Sequence, residues 1–327
     1  MNWIGKNVLV TGAGGFIGSH LVERLVEIGA KTSAFVHYNA QGSAGWLDQS
    51  PQRTEFEIIA GDICDRDTLA RAVKGKEVIF HLAALIGIPY SYEAPYSYVR
   101  TNVEGTLNLL RVCLEADVER VIHTSTSEVY GTSKSDFIRE DHVLQAKSPY
   151  SASKIGADKL AEAFYFSYHL PVSIMRPFNT YGPRQTPRAI IPTIIQQALT
   201  KNEIRLGNLE PKRDFTLVTD TVDGFIRMAE TGKTVGETIH IGSGKAISIG
   251  ELATLILTLM NCEKAIVSDS ERFRPEKSEV DYLCADIANA KKLIGWEPRH
   301  LLREGLMETI NWMERNLGSY QQTAYRI

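Results

Sequence analysis

Tyr150 and Lys154 stand four residues apart in the stretch Ser148-Pro149-Tyr150-Ser151-Ala152-Ser153-Lys154. On a helix this spacing puts both side chains on one face. A free phenol gives up its proton at about pH 10, so it is a poor base at neutral pH. A fixed ammonium beside it favours the phenolate, which predicts that Lys154 lowers the pKa of Tyr150. The pair then reads as a tyrosine base able to take a proton from a hydroxyl. Taken alone, Tyr-x-x-x-Lys also fits a solvated helix face, so its meaning rests on the elements around it.

The first such element is glycine-rich. Gly12, Gly15 and Gly18 recur every third residue in Gly12-Ala13-Gly14-Gly15-Phe16-Ile17-Gly18. They follow the apolar run Asn7-Val8-Leu9-Val10 and open a helical pattern with Ile17, Leu21, Leu25 and Ile28 on one face. A strand, a tight glycine turn and a helix N-terminus form a cradle for a dinucleotide pyrophosphate, with Phe16 and Ile17 in its first turn. Gly29 reads as the C-cap of this helix. After the second strand, at 32–36, the ribose position carries His37 rather than an acidic residue, which leaves NAD and NADP both open. Asp62, at the end of the third run, reads either as an acceptor for the adenine amino group or as the N-cap of a helix over 66–73.

Further apolar runs lie at 56–60, 78–82, 120–124 and 172–176, with helical stretches at 99–116 and 151–168 between them. Alternating strands and helices predict an α/β fold of the Rossmann type, a doubly wound parallel sheet. Beyond about residue 178, Pro183, Pro187 and Pro192 loosen the alternation. Residues 1–178 with about 218–240 are expected to form the dinucleotide-binding domain, 220–230 returning to it as a helix. Residues 179–217 and 241–327 are expected to form a smaller substrate lobe, and the tail from 319 onward is expected to be poorly ordered.

The bulk numbers exclude several classes. The chain has 327 residues, a net charge of −3, and 43% hydrophobic residues. That balance argues against a nucleic-acid partner. No run approaches the roughly 18 apolar residues of a membrane span. The residues after Met1 enter a strand pattern directly, so no secretion signal is expected. Cys64, Cys113, Cys262 and Cys284 lack metal-ligand spacing and read as reduced thiols of a cytoplasmic protein, with no metal site.

The glycine triplet, Asp62-Ile63, His81-Leu82-Ala83-Ala84, Asn102, Thr124-Ser125-Thr126 and the Tyr150–Lys154 pair occur together and in order. This set resembles the extended short-chain dehydrogenase/reductase superfamily, in its nucleotide-sugar epimerase and dehydratase branch, over essentially the whole chain. The resemblance implies a homodimer that binds NAD, with NADP open at His37. It implies Tyr150 as the base, Lys154 as its partner and a ligand of the nicotinamide ribose, and Thr126 as the hydroxyl on the sugar 4-OH. Ile63, Leu82, Ala83, Ala84 and Pro177 would line the cofactor. Ile86, Asn179, Arg188, Arg213 and Arg274 would contact the substrate, the last two gripping its diphosphate as arginine forks do.

Enzymes of this branch share oxidation at sugar C4 and then diverge. Glu128 lies two residues beyond Thr126 and could remove a C5 proton acidified by a C4 ketone; the bland alternative is an exposed strand-end carboxylate. Related dehydratases carry Asp then Glu here, whereas this chain has Ser127-Glu128. Ser127 could position a water but is no acid. The stretches 36–47, 148–154 and 176–184 are similar to UDP-N-acetylglucosamine 4,6-dehydratases of the legionaminic acid pathway. A UDP-glucuronate decarboxylase, which has a similar Ser-Glu pattern, and a UDP-sugar 4-epimerase remain open. So does a non-catalytic nucleotide-sugar-binding regulator, although such a protein needs no tyrosine base.

Overall fold

The computed structural model describes residues 1–318; the expectation for the tail from 319 onward lies outside them. Six strands occupy the six predicted runs: β1 (Asn7–Thr11), β2 (Lys31–His37), β3 (Glu57–Gly61), β4 (Val78–His81), β5 (Arg120–Thr124) and β6 (Val172–Pro177). The next three are β7 (Asn179–Tyr181), β8 (Ile204–Leu206) and β9 (Lys212–Leu217), and β10 spans Thr238–Ile241. β10 joins the first six in one parallel sheet of order β10-β6-β5-β4-β1-β2-β3. The order reverses at β1, which lies between β4 and β2. This is the switch point at which open α/β sheets leave a crevice beyond the strands' carboxyl ends.

Side chains alternate across this sheet with the strand period of two. Val8, Val10, Val78 and Phe80 enter one core with the helices α1 (Phe16–Glu27) and Val218–Glu230. Leu9, Ile79 and Val121 enter the other, with α2 (Arg66–Val73), α5 (Gly105–Glu115) and α6 (Pro149–Tyr168). The short helices α3 (Ile88–Glu93) and α4 (Pro95–Tyr98) precede α5. Apolar residues on both faces are what a sheet covered by helices on both sides requires.

Three local readings are corrected. Ile28 rather than Gly29 is the C-cap of α1, and Gly29, at φ 88°, is the residue after it. The amides of Gly29 and Ala30 donate to the carbonyls of Val26 and Leu25, closing the turn in a Schellman arrangement. Asp65 rather than Asp62 caps α2, accepting from the amides of Asp67 and Thr68. The stretch expected to be one helix over 99–116 starts with a π-helical segment, Val99–Glu104, before α5.

A separate hydrophobic cluster gathers the elements that follow β6. Tyr181, Ile194, Ile195, Phe215, Leu252, Ile256, Leu306 and Ile310 pack together from β7, β9 and the helices Ile190–Thr200, Ile249–Leu259 and Leu302–Arg315. One late segment does not stay with it. Ala290 and Ile294, on the helix Ala288–Ile294, and Trp296 pack into the first core instead. The Trp296 indole donates to the Asp220 carbonyl at 3.0 Å. Among the described residues no helix is long and apolar enough to cross a membrane.

Candidate active site

Parallel pairing brings the carboxyl ends of β1 to β6 to one edge of the sheet. Gly12, Gly15, Phe16, Ile17 and Gly18 follow β1, and His37 ends β2 on an exposed rim. Asp62 and Ile63 follow β3, Leu82, Ala83 and Ala84 follow β4, and Pro177 ends β6. The sequence-predicted cofactor residues therefore share one edge. Asp62 is engaged locally, accepting from the Cys64 amide at 2.9 Å.

The glycine turn fits a dinucleotide. Gly12 has φ 68°, and a Cβ built there would lie 2.8 Å from the Ala83 amide nitrogen. One at Gly18 would overlap the Gly12 carbonyl. Gly14, not singled out by the three-residue spacing, is equally constrained, because a Cβ there would overlap the Ala44 carbonyl. No side chain caps α1 at Gly15, which leaves its first turn for an anion. Thr11 and His81 brace the turn from below. The Thr11 hydroxyl accepts from the Leu82 and Ala83 amides, both at 3.2 Å, and meets His81 Nδ1 at 2.9 Å.

The start of α6 is fixed by its own sequence. Ser148 Oγ accepts from the Ser151 amide at 3.1 Å, and Ser151 Oγ accepts from the Ser148 amide at 3.0 Å. With Pro149 at the first helical position, this capping box sets Tyr150 in the first turn and Lys154 in the second. Asn102, in the π-helical segment, reaches across to the same turn. Its Nδ2 donates to Ser153 Oγ at 2.9 Å and to the Leu85 carbonyl at 3.0 Å, while its Oδ1 accepts from the Leu85 amide at 2.8 Å. One amide thus joins the tyrosine helix to the loop carrying Ile86, which is 62% exposed. Extra-residue helical turns are frequent where side chains must be re-aimed.

Tyr150, Lys154, Thr126 and Glu128 are brought together. Tyr150 is buried within hydrogen-bonding reach of the Thr126 hydroxyl. Its pKa differs from the sequence expectation. Burial, and then the negative charge of Glu128, pushes the phenol up, and the Thr126 contact only partly offsets this. Lys154 is not aimed at the phenol; its Nζ donates to the Thr124 carbonyl at 2.6 Å. Burial brings the Lys154 ammonium down to about 8, and the charge of Asp158 resists that fall. Glu128 is not an exposed strand-end carboxylate. Thr126 caps a 3-10 turn, Ser127–Tyr130, in which Ser127 and Glu128 are both buried.

Beneath this group lies a polar network that motif spacing did not reveal. Asp158, fully buried, accepts from Ser125 Oγ at 2.6 Å and from Arg176 at 2.8 Å, and lies 3.2 Å from His123 Nε2. Arg176 also donates to the Tyr130 hydroxyl at 2.6 Å. The only sequence signal for Asp158 was its place one turn after Lys154 on the same helix face.

The expected substrate residues are less uniform. Among the described residues, Asn179, on β7, has a buried Oδ1 without a hydrogen-bond partner, and Thr124 has a buried Oγ1 in the same condition. Arg188 is exposed and close enough to Tyr98 for its charge to act on that phenol. Arg213, on β9, is buried, and its Nη2 lies 3.7 Å from Glu279. Arg274 lies 3.8 Å from Glu128 and 3.9 Å from Glu279. Among the described residues no cluster of ligating side chains could hold a metal ion.

The profile of the GDP-mannose 4,6 dehydratase family matches residues 9–309 of this chain. The chain belongs to that family. Its relatives include a Bacillus subtilis protein described as an uncharacterized UDP-glucose epimerase, YtcB, 31% identical over 320 residues that cover 94% of this chain and 97% of that protein. The dTDP-glucose 4,6-dehydratase DesIV of Streptomyces venezuelae, solved with NAD bound, has a TM-score of 0.89 at 31% identity, covering 96% of this chain and 99% of that one. The UDP-glucuronic acid 4-epimerase of Bacillus cereus, solved with UDP-glucuronic acid and NAD, has a TM-score of 0.86 at 29% identity, covering 95% and 99%. Family members of this kind are nucleotide-sugar dehydratases and epimerases with the Rossmann-type fold.

Proposed function

We propose that this chain is an NAD-dependent nucleotide-sugar 4,6-dehydratase acting on a UDP-linked N-acetylhexosamine. The observation that carries the dehydratase reading is Glu128, buried beside Tyr150 in the turn that Thr126 caps. A 4-epimerase needs no carboxylate at C5. NAD as cofactor is supported by its presence in the solved relatives and by the glycine cradle described above. The UDP-sugar reading is supported by the sugar nucleotide bound to the Bacillus cereus relative.

The cradle of Gly12, Gly14, Gly15 and Gly18 would hold the pyrophosphate, and Lys154 the nicotinamide ribose. NAD bound there would supply a reversible hydride acceptor for the sugar. Thr126 orients the 4-hydroxyl, and Tyr150 takes its proton. Glu128 then removes the C5 proton, acidified by the adjacent ketone, as the C6 hydroxyl departs. Ser127 orients a water that relays a proton to that leaving group, so that it departs as water, and the proton on Glu128 returns to C5 when C6 receives its hydride. Arg213 and Arg274 hold the diphosphate, and Asn179 and Ile86 contact the rest of the substrate.

A 4-epimerase is the second reading, favoured by Ser127, which puts no acid at the C6 hydroxyl. Mass spectrometry of products from UDP-N-acetylglucosamine and UDP-glucuronate separates the cases. Loss of water supports the dehydratase, loss of carbon dioxide a decarboxylase, and unchanged mass with altered retention the epimerase. In the dehydratase reading, Glu128→Gln lowers product formation by about 10²- to 10⁴-fold and stops solvent deuterium from entering C5. Undiminished product from this variant would exclude Glu128 as the base.

A second copy of the chain is proposed against the outer face of α5 and α6. Val99, Phe166 and Tyr168 are exposed there or beside it. Light scattering should give the mass of a dimer at micromolar concentration, and a monomer would refute this. Free Cys64, Cys113, Cys262 and Cys284 accord with a reducing, cytoplasmic setting.

A further inference from the structure

Two carboxylates stand beside Arg213 and Arg274, the arginines proposed above to hold the diphosphate. Arg274 Nη1 lies 3.8 Å from Glu128 Oε2 and 3.9 Å from Glu279 Oε1. Both distances are too long for hydrogen bonds. Among the described residues the Arg274 guanidinium makes no hydrogen bond, although its side chain is only 27% exposed. Arg213 Nη2 lies 3.7 Å from the same Glu279 oxygen. The Arg213 strand is rigidly tied, because Asp214 accepts from the Ser243 amide and hydroxyl at 2.6 Å, from the Gly244 amide at 2.9 Å and from the Ala285 amide at 3.0 Å. Arg274 instead sits in an irregular segment between the short turns Ser270–Arg272 and Glu276–Ser278. The cluster therefore has one fixed guanidinium, one adjustable guanidinium and two carboxylates, one of them the proposed C5 base.

We propose that Glu128 and Glu279 are resident anions on an arginine clamp, and that a nucleoside diphosphate displaces them by drawing Arg274 away from Glu128. This rests on the nucleotide-sugar reading above and adds a coupling to it. A phosphate offers Arg274 short, charge-assisted and often bidentate hydrogen bonds, which two carboxylates at nearly 4 Å do not. Once Arg274 turns to the phosphate, Glu128 loses the guanidinium beside it and its carboxylate is free to face the sugar. The base is thus released only when a diphosphate-linked sugar is in place. Linkage makes the effect reciprocal: whatever weakens the Glu128–Arg274 contact must strengthen diphosphate binding.

The test is calorimetric titration of the NAD-loaded protein with UDP, dTDP and GDP. Glu279→Gln removes a competitor and a like charge, so the diphosphate that binds should bind about five- to tenfold tighter. Glu128→Gln should tighten it in the same sense. Glu279→Asp keeps the charge and should stay near the unmodified value. A merely structural loss at either carboxylate would weaken binding, so the sign separates the two roles. Arg274→Gln should weaken binding and erase the gain from Glu279→Gln in a double-mutant cycle. Unchanged or weaker binding by Glu279→Gln, or an additive cycle, overturns the proposal and leaves the nucleotide-sugar reading standing. Failure of the unmodified protein to bind any of the three diphosphates would sink both.

Discussion

Tyr150→Phe should lower turnover on the preferred nucleotide sugar by about 10²- to 10⁴-fold while leaving NAD binding and the circular dichroism spectrum unchanged. The single hydroxyl removed is the one proposed to take the sugar proton. Its ring packs edge-on against Tyr98 at 6.2 Å, and phenylalanine can keep that contact. Burial holds the Tyr150 phenol protonated, above its usual range, in this arrangement. The positive charge needed to lower it must then come from nearby. With its pKa at about 8, Lys154 is mostly an ammonium at neutral pH, and it stands one turn along α6 from the phenol. Turnover within tenfold of the unmodified enzyme would remove Tyr150 as the base.

The largest stability effect is expected at Asp158. Asp158→Ala leaves Arg176 and His123 buried without their anion, a change that typically costs about 3–5 kcal/mol. For a chain of this size the Tm should fall by roughly 5 °C. Thermal melts of the purified variant test this, and a Tm within a degree or two would refute it. The acid limb gives a second check. Burial alone would raise the Asp158 carboxyl, but the His123 hydrogen bond and the charge of Arg176 hold it at about 2, against 3.8 ordinarily. A depressed carboxylate stabilises the fold above its unfolded pKa and loses that contribution as pH falls through the folded one. The gap between the unmodified protein and Asp158→Asn should therefore be full above about pH 4 and close as pH falls toward 2.

The contrast between these two positions shows what was legible beforehand. Tyr150 and Lys154 announce themselves because a base and its cation must sit at a helical spacing. The strands from β1 to β6 were equally plain, since both sides of a covered parallel sheet must be apolar. β10 escaped notice, being only four residues, Thr238–Ile241, at the sheet's outer edge. Asp158, Arg176 and His123 were invisible as a group because they come from α6, β6 and β5 and meet only through strand pairing. Gly14 was passed over because its constraint is set by Ala44, thirty residues on, and not by the spacing of its neighbours. The direction of the Tyr150 shift was missed for a similar reason. Spacing reports which cation is near, whereas burial depends on everything packed around the ring.

The π-helical segment at Val99–Glu104 also sets the length of the chain at that point. Each residue added to or removed from a helix turns everything beyond it by about 100°. Deleting one residue here would restore a regular helix, yet it would swing Asn102 off Leu85 and Ser153, or else rotate the buried face of α5 out of its core. A gain or loss of a single codon would uncouple the loop at Leu85 from the tyrosine helix even with every named side chain still present.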